Sequence, residues 1–322
     1  MRLSYHASVS EMKPLRGTGW RAHQPRMSDA MQVFDRALVR RRRERAAAGI
    51  GAVRPVLEAA AERLLDRLDD TTRRFESALE IGGRGSVAPM LTARGIPFVA
   101  SMDLSPAMAR GAGGLAVAGD EEWLPFGAGS FDLVVASLSL HWVNDLPGAL
   151  VQIRRALKPD GLFLASLPAL GTLQPLREAL GTAESELRGG ISPRVSPFPE
   201  LRDGASLLQR AGFALPVADR ETLDLHYRTP LALLRDLRAA GEGNAVLAAD
   251  RRTPPRALFP LALSRLPAPG DGLPVALQML VLTGWAPAPS QPQPARPGSA
   301  NARLADALGT VEHKAGDPTR PH

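Results

Sequence analysis

Carboxylates at three successive strand ends, with a glycine turn after the first and a histidine beyond the last, are the residues here whose types and spacing can do chemistry. The turn reads Glu80-Ile81-Gly82-Gly83-Arg84-Gly85-Ser86. Glycines after a strand let backbone N–H groups and the next helix's N-terminus approach a ligand closely, although such a turn alone is equally a structural device. Asp103 follows about 20 residues on, where an acid accepts hydrogen bonds from both hydroxyls of a ribose, each about 1.5 to 3 kcal/mol before desolvation. Its plainer role is a cap for the helix opening at Ser105-Pro106. Asp120 and Glu121 stand after a third short strand, placed to meet an adenine amino group. Three strand ends in sequence describe a nucleoside better than any one of them. A P-loop lysine and a full G-x-G-x-x-G are both missing, which favours a nucleoside without a bound pyrophosphate.

His141 is the candidate catalytic group, as a base or as an orienter of substrate, because it closes a strand at the edge where ligands enter such sheets. The alternative is a histidine that anchors the following loop. Trp142 can stack on adenine or on a guanidinium, or simply pack in the core. With no cysteine, and with only His141 and His226 in the expected core, no H-x-D or H-E-x-x-H pattern marks a metal site, and none is predicted.

These groups need a scaffold, and short apolar runs at 78–81, 98–102, 115–118, 131–137 and 162–167 supply one. Helix-length segments separate them, so the expected fold is α/β, a parallel, doubly wound sheet. Helical spacing covers 33–48 and 55–68 ahead of it, and Lys158-Pro159-Asp160-Gly161 is a turn. Helices are expected at 173–187, 201–211 and 231–240, with strands at 222–227 and 275–282 closing one edge as an antiparallel pair. The Gly/Pro/Ser-rich segment 188–199 is the expected substrate-side loop, its alternative being a packed connector.

The 322 residues, 44% hydrophobic, suffice for one large core over 33–285, with substrate-side insertions at 169–214 and 228–274. Residues 1–32 are expected to be a flexible segment and 286–322, rich in Pro, Ala and Ser, a disordered tail. Ahead of Met27 stand Arg2, Lys13, Arg16, Arg21 and Arg26 against Glu11 alone, which fits a presequence or a start at Met27. The net charge of +6 concentrates in the first 45 residues. Arg36, Arg40, Arg41, Arg42, Arg43 and Arg45 crowd the first helix, as a solvated face or as a dock for an acidic protein; a nucleic-acid partner is not expected, for want of aromatic interleaving. No apolar run is long enough to span a bilayer, so a soluble protein is expected.

The strand-end acids together resemble class I S-adenosylmethionine-dependent methyltransferases, a Rossmann-like fold with a seven-stranded, mostly parallel sheet whose last strand is antiparallel. That resemblance implies S-adenosyl-L-methionine as cofactor, with Glu80, Gly82, Gly83, Asp103, Asp120 and Glu121 around it. Arg84 and Ser86 depart from the pattern, standing where second and third glycines are expected and crowding the methionine end.

Three segments are more specific: Asp120-Glu121-Glu122-Trp123-Leu124-Pro125-Phe126, Leu140-His141-Trp142-Val143-Asn144-Asp145 and Gly189-Gly190-Ile191-Ser192-Pro193-Arg194-Val195-Ser196-Pro197-Phe198. With Leu157-Lys158-Pro159-Asp160-Gly161, Phe34-Asp35-Arg36 and Gly284-Trp285, they resemble the family of mitochondrial complex I assembly factor 5 and its alphaproteobacterial relatives. The resemblance implies maturation of respiratory complex I by hydroxylation of an arginine on a quinone-module subunit. The partner is then a complex I subunit, met at the membrane surface, in the cytoplasm of a bacterium or in the mitochondrial matrix. The alternatives are an O-methyltransferase of the malonyl-carrier-protein type and a noncatalytic assembly chaperone.

Overall fold

Seven strands form one sheet, in the order β3-β2-β1-β4-β5-β7-β6. They are β1 (Ser77–Ile81), β2 (Phe98–Asp103), β3 (Leu115–Ala118), β4 (Phe131–Ser137), β5 (Leu157–Pro168), β6 (Ala214–Tyr227) and β7 (Leu273–Trp285). β1 to β5 run parallel, and β7 is antiparallel to both β5 and β6. The strand order reverses between β1 and β4, which places a ligand crevice at their carboxyl ends. This computed structural model describes residues 32–267 and 272–291, with 306 and 308–310. The segment expected to be flexible up to residue 31, and most of the expected tail, lie outside the described residues.

The period of two in β4 makes the sheet two-sided. Leu133 and Val135 face Leu64, Leu65 and Leu91 on α2 (Arg54–Leu65) and α3 (Val87–Ala93), while Val134 and Ala136 face Leu150 and Ile153 on α5 (Leu146–Ala156). Each such fully buried aliphatic contributes about 1.5 to 3 kcal/mol. The remaining helices are α1 (Arg36–Ala46), α4 (Pro106–Gly111), α6 (Gln174–Arg188), α7 (Leu201–Arg210), α8 (Pro230–Ala239) and α9 (Leu258–Leu263). No described helix is long and apolar enough to cross a membrane.

Five expectations need correction. The turn expected at 158–161 lies within β5, whose pairing with β4 shifts register there. The first helix begins at Arg36 because the Asp35 side chain accepts the Leu38 N–H at 2.9 Å and caps it there. β6 starts eight residues before the expected 222: Asp219, Arg220 and Glu221 break the apolar run, yet on an exposed edge their backbone still pairs with β7. The insertion expected over 169–214 divides. α6 packs with α8 and α9 in a separate apolar cluster, whereas α7 joins the main core through Leu208, drawn close to the sheet at Gly204, where a Cβ would stand 2.7 Å from Leu282. Finally, residues 286–291 are tied back to the sheet: Ala286 N–H donates to Gly161 O at 2.8 Å, and Gln291 Nε2 donates to Asp160 Oδ1 at 3.0 Å.

Candidate functional site

α1 lies across the carboxyl edge of the sheet, and its sequence has a hidden period. Arg36, Val39, Arg43 and Ala46 share its inward face, while Arg40, Arg41 and Arg45 point to solvent. Arg43 is fully buried; its Nη1 donates to Asp103 Oδ2 at 3.0 Å and to Glu121 Oε1 at 2.9 Å, and its Nη2 donates to Ser139 O at 3.3 Å. Arg36 Nη2 donates to Asp120 Oδ1 at 2.6 Å and to Glu121 Oε2, and Arg36 Nη1 donates to Trp142 O at 3.2 Å. Burial pushes both inner carboxyls up. Arg36 and Arg43 outweigh it at Glu121 and hold that group low. At Asp103 burial and the Glu121 charge outweigh Arg43 and the more distant Arg84, so its carboxyl stays raised.

The glycine turn is equally engaged. The N–H groups of Gly82 and Gly83 donate to Met102 O at 2.7 and 3.0 Å. Gly82 adopts φ 77°, and a Cβ there would run into the side chain of Ser139. Glu80 is buried below the turn, accepts from Ser101 Oγ at 2.8 Å and from the N–H groups of Arg84 and Ala88, and is pushed up to about 7 by burial. It thus caps the start of α3 from inside.

Arg84, the residue in place of a glycine, donates through Nη1 to Glu242 Oε1 at 2.8 Å and through Nη2 to Leu138 O. Glu242 follows α8 and is the hub of the site: His141 Nε2 and Trp142 Nε1 each lie 2.7 Å from its Oε2. Burial raises its carboxyl, but His141, Arg84 and Arg43 outweigh burial and hold it well below the usual carboxylate range. Nε2 of His141 is thus tied to this carboxylate, and its Nδ1 is buried with no protein partner among the described residues.

Beside this hub opens a cavity of about 1280 Å³. Arg84, His141, Trp142 and Glu242 line one side, and Arg194, Ser196 and Phe198 of the Gly/Pro segment line another. That segment is braced. Arg177 donates to Val195 O at 3.0 Å and Ser196 O at 2.6 Å and lies 5.9 Å from the Phe198 ring centre, while Arg194 Nη2 bonds Glu184 Oε1 at 2.5 Å.

The structure therefore brings His141 and the 188–199 segment to one cavity, and gathers Asp103, Asp120 and Glu121 next to it around Arg36 and Arg43. Those acids fit a ribose and an adenine in type. As arranged, the guanidiniums of Arg36 and Arg43 take the carboxylates and Met102 O takes the N–H groups of the turn, so S-adenosylmethionine has to compete for them. Sequence reasoning missed Glu242, for which no local signal exists 101 residues from His141. It also missed the inward arginines, whose signal was the 36/39/43/46 spacing.

A methyltransferase domain model matches residues 79–165, the stretch from β1 into β5. Sheet order, strand-end acids and this match define a Rossmann-like protein of the methyltransferase superfamily. The chain is 36% identical to the mitochondrial arginine-hydroxylase NDUFAF5 of Danio rerio over 92% of its own length and 95% of that protein's. It is likewise 36% identical to the Homo sapiens protein of that name, over 88% and 85%. The chain belongs to this arginine-hydroxylase family. A malonyl-[acyl-carrier protein] O-methyltransferase of Methylovorus sp. (strain MP688) is 34% identical over 66% of this sequence and 75% of that one.

Proposed function

We propose that the protein hydroxylates an arginine of a respiratory complex I subunit, taken into the cavity beside His141, Trp142 and Glu242. The carrying observation is the hub itself. Glu242 already receives one guanidinium, that of Arg84, against the indole N–H of Trp142 and the ring of His141. A carboxylate suits the planar, five-donor guanidinium. Glu242 is the positioning residue of His141, whose ring lines the cavity. Replacing one C–H bond of the substrate arginine by C–OH adds one oxygen. With dioxygen as donor the step also takes two electrons and two protons and releases water, so it needs a reductant beside the protein's own residues.

S-adenosylmethionine is proposed as a ligand of Asp103, Asp120 and Glu121 with the Glu80, Gly82 and Gly83 turn, in competition with α1 for the same carboxylates. No step of the hydroxylation is routed through it. The likeness to a malonyl-carrier-protein methyltransferase supports a second reading, O-methylation of a carrier protein.

Intact-mass spectrometry of the isolated quinone-module subunits and of malonyl-carrier protein, each incubated with the protein, dioxygen, a chemical reductant and S-adenosylmethionine, separates the readings. A gain of about 16 Da, mapped to arginine, is expected on a complex I subunit, as against about 14 Da for methylation by elementary chemistry. A gain on the carrier protein alone would sink the hydroxylase reading, and stable subunit binding without any gain would favour a chaperone.

A further inference from the structure

Around the mouth of the cavity, positive charge is left unbalanced. Four acids line it, and each is engaged: Asp35 with Arg251 at 3.3 Å, Asp236 with the Tyr227 hydroxyl, Glu242 in the hub, and Asp250 with Arg188 at 2.8 Å. Against them stand Arg41, Arg42, Arg45, Arg235, Arg238 and Arg252, which line the same cavity and make no ion pair among the described residues. All but Arg42 are exposed.

Five of these six come from two elements that meet, and Arg252 from the connection after α8. Arg42 donates to Asn244 O just beyond α8, so Arg41 and Arg45 of α1 share a rim with Arg235 and Arg238 of α8. Arg41 and Arg45 are four apart on one helix and Arg235 and Arg238 three apart on another, so each pair repels across a helical turn. The crowding is felt at Arg42, whose guanidinium is held below its ordinary value by burial and then by the charges of Arg45 and Arg41. A guanidinium approaching alone meets this field before it reaches Glu242, and a basic segment around it meets more.

We propose that the rim selects its target by charge: the arginine that enters is carried on a segment flanked by aspartates and glutamates, whose carboxylates pair with the arginines of α1 and α8 while the guanidinium passes between them to the hub. The inference rests on the cavity being the arginine site. Acidic flanks relieve the repulsion within the rim and steer encounter, and both effects weaken with salt. Nucleic acid is the lesser fit, since Phe259 is the one exposed aromatic residue among those lining the cavity.

Labelled peptides of about twelve residues, each with one central arginine, test this by fluorescence anisotropy on the full-length protein. Flanks of Asp and Glu are expected to bind at least tenfold tighter than flanks of Asn and Gln, about 1.4 kcal/mol, and to lose most of that margin between about 50 and 300 mM NaCl. Combining R41E, R45E, R235E and R238E is expected to abolish the margin, while the corresponding lysine changes keep it. Unchanged thermal melting shows that these exposed changes leave the fold intact. Equal affinity for acidic and neutral flanks, or tighter binding of single-stranded RNA than of the acidic peptide, overturns the proposal. The two readings fail separately. A 16 Da gain on both peptides at equal rates removes the charge selection and leaves the hydroxylase, whereas rim-dependent binding of the acidic peptide without any gain on its arginine or on a complex I subunit keeps the rim and removes the hydroxylase.

Discussion

Glu80 shows how far a residue's environment can move its chemistry. The carboxyl is pushed from its ordinary 4.5 up to about 7 by burial, and hydrogen bonds from Ser101, Ala88 and Arg84 only partly offset this. As pH rises past the ordinary value, the unfolded state gives up this proton while the folded state keeps it to about 7. Stability therefore falls across that window and levels off above it, by an amount on the order of 3 kcal/mol. Glu80→Gln keeps the neutral form at every pH. Urea unfolding at about pH 5 and pH 8 is expected to show the parent losing on the order of 2 to 3 kcal/mol more than the variant between them. Parallel profiles would mean that Glu80 is not the buried acid described. The identity of Glu80 was legible beside its glycines; its role beneath α3 was not, because its donors Ser101, Arg84 and Ala88 converge from a neighbouring strand, the turn and a helix.

At the scale of the element, α1 is the surprise. Six arginines in ten residues read as a solvated or docking face, and half of that reading survives in Arg41 and Arg45 on the rim. The other half is inverted: Arg36 and Arg43 neutralise the acids expected to face a nucleoside. Removing one partner of a buried ion pair typically costs about 3 to 5 kcal/mol, so α1 is held in place by these contacts as well as by Val39. The competition has a direction. Arg43→Gln is expected to tighten S-adenosylmethionine at least fivefold by calorimetry and Asp103→Ala to weaken it at least tenfold, about 1.4 kcal/mol, with Arg43→Lys as the folded control close to the parent. Affinity unchanged in both variants would remove the acid cluster as the cofactor site. The strands, by contrast, were legible almost throughout, since β1, β2 and β4 are almost fully buried between turn residues. β6 was half hidden because an edge strand tolerates charge.

Over the whole molecule, the site is assembled by closing segments far apart in sequence. Phe34 forms an isolated bridge with Val246 and packs edge-on against Trp142 at 5.3 Å, and Asn144 ties the same place together. Its Oδ1 accepts the N–H groups of Val33 and Phe34 at 2.8 Å each, and its Nδ2 donates to Phe34 O at 3.2 Å. Asn144→Ala is expected to cost about 1 to 3 kcal/mol and to raise amide hydrogen exchange selectively at Phe34 and Leu247. A uniform change in exchange across the sheet would show instead that Asn144 supports the core and not the closure.

The sequence by itself determined the sheet, the three acidic strand ends, the glycine turn and the distinctive segments at 120–126, 140–145 and 189–198, because each is set by local period, by turn chemistry or by a run of residues that can be read in place. Only the tertiary structure decided what those groups face. Glu242 meets His141, Trp142 and Arg84, and Arg43 meets Asp103 and Glu121, through contacts spanning 60 to 158 residues of sequence. Which charge neutralises which is fixed by burial and packing across the fold, and neither has a period along the sequence.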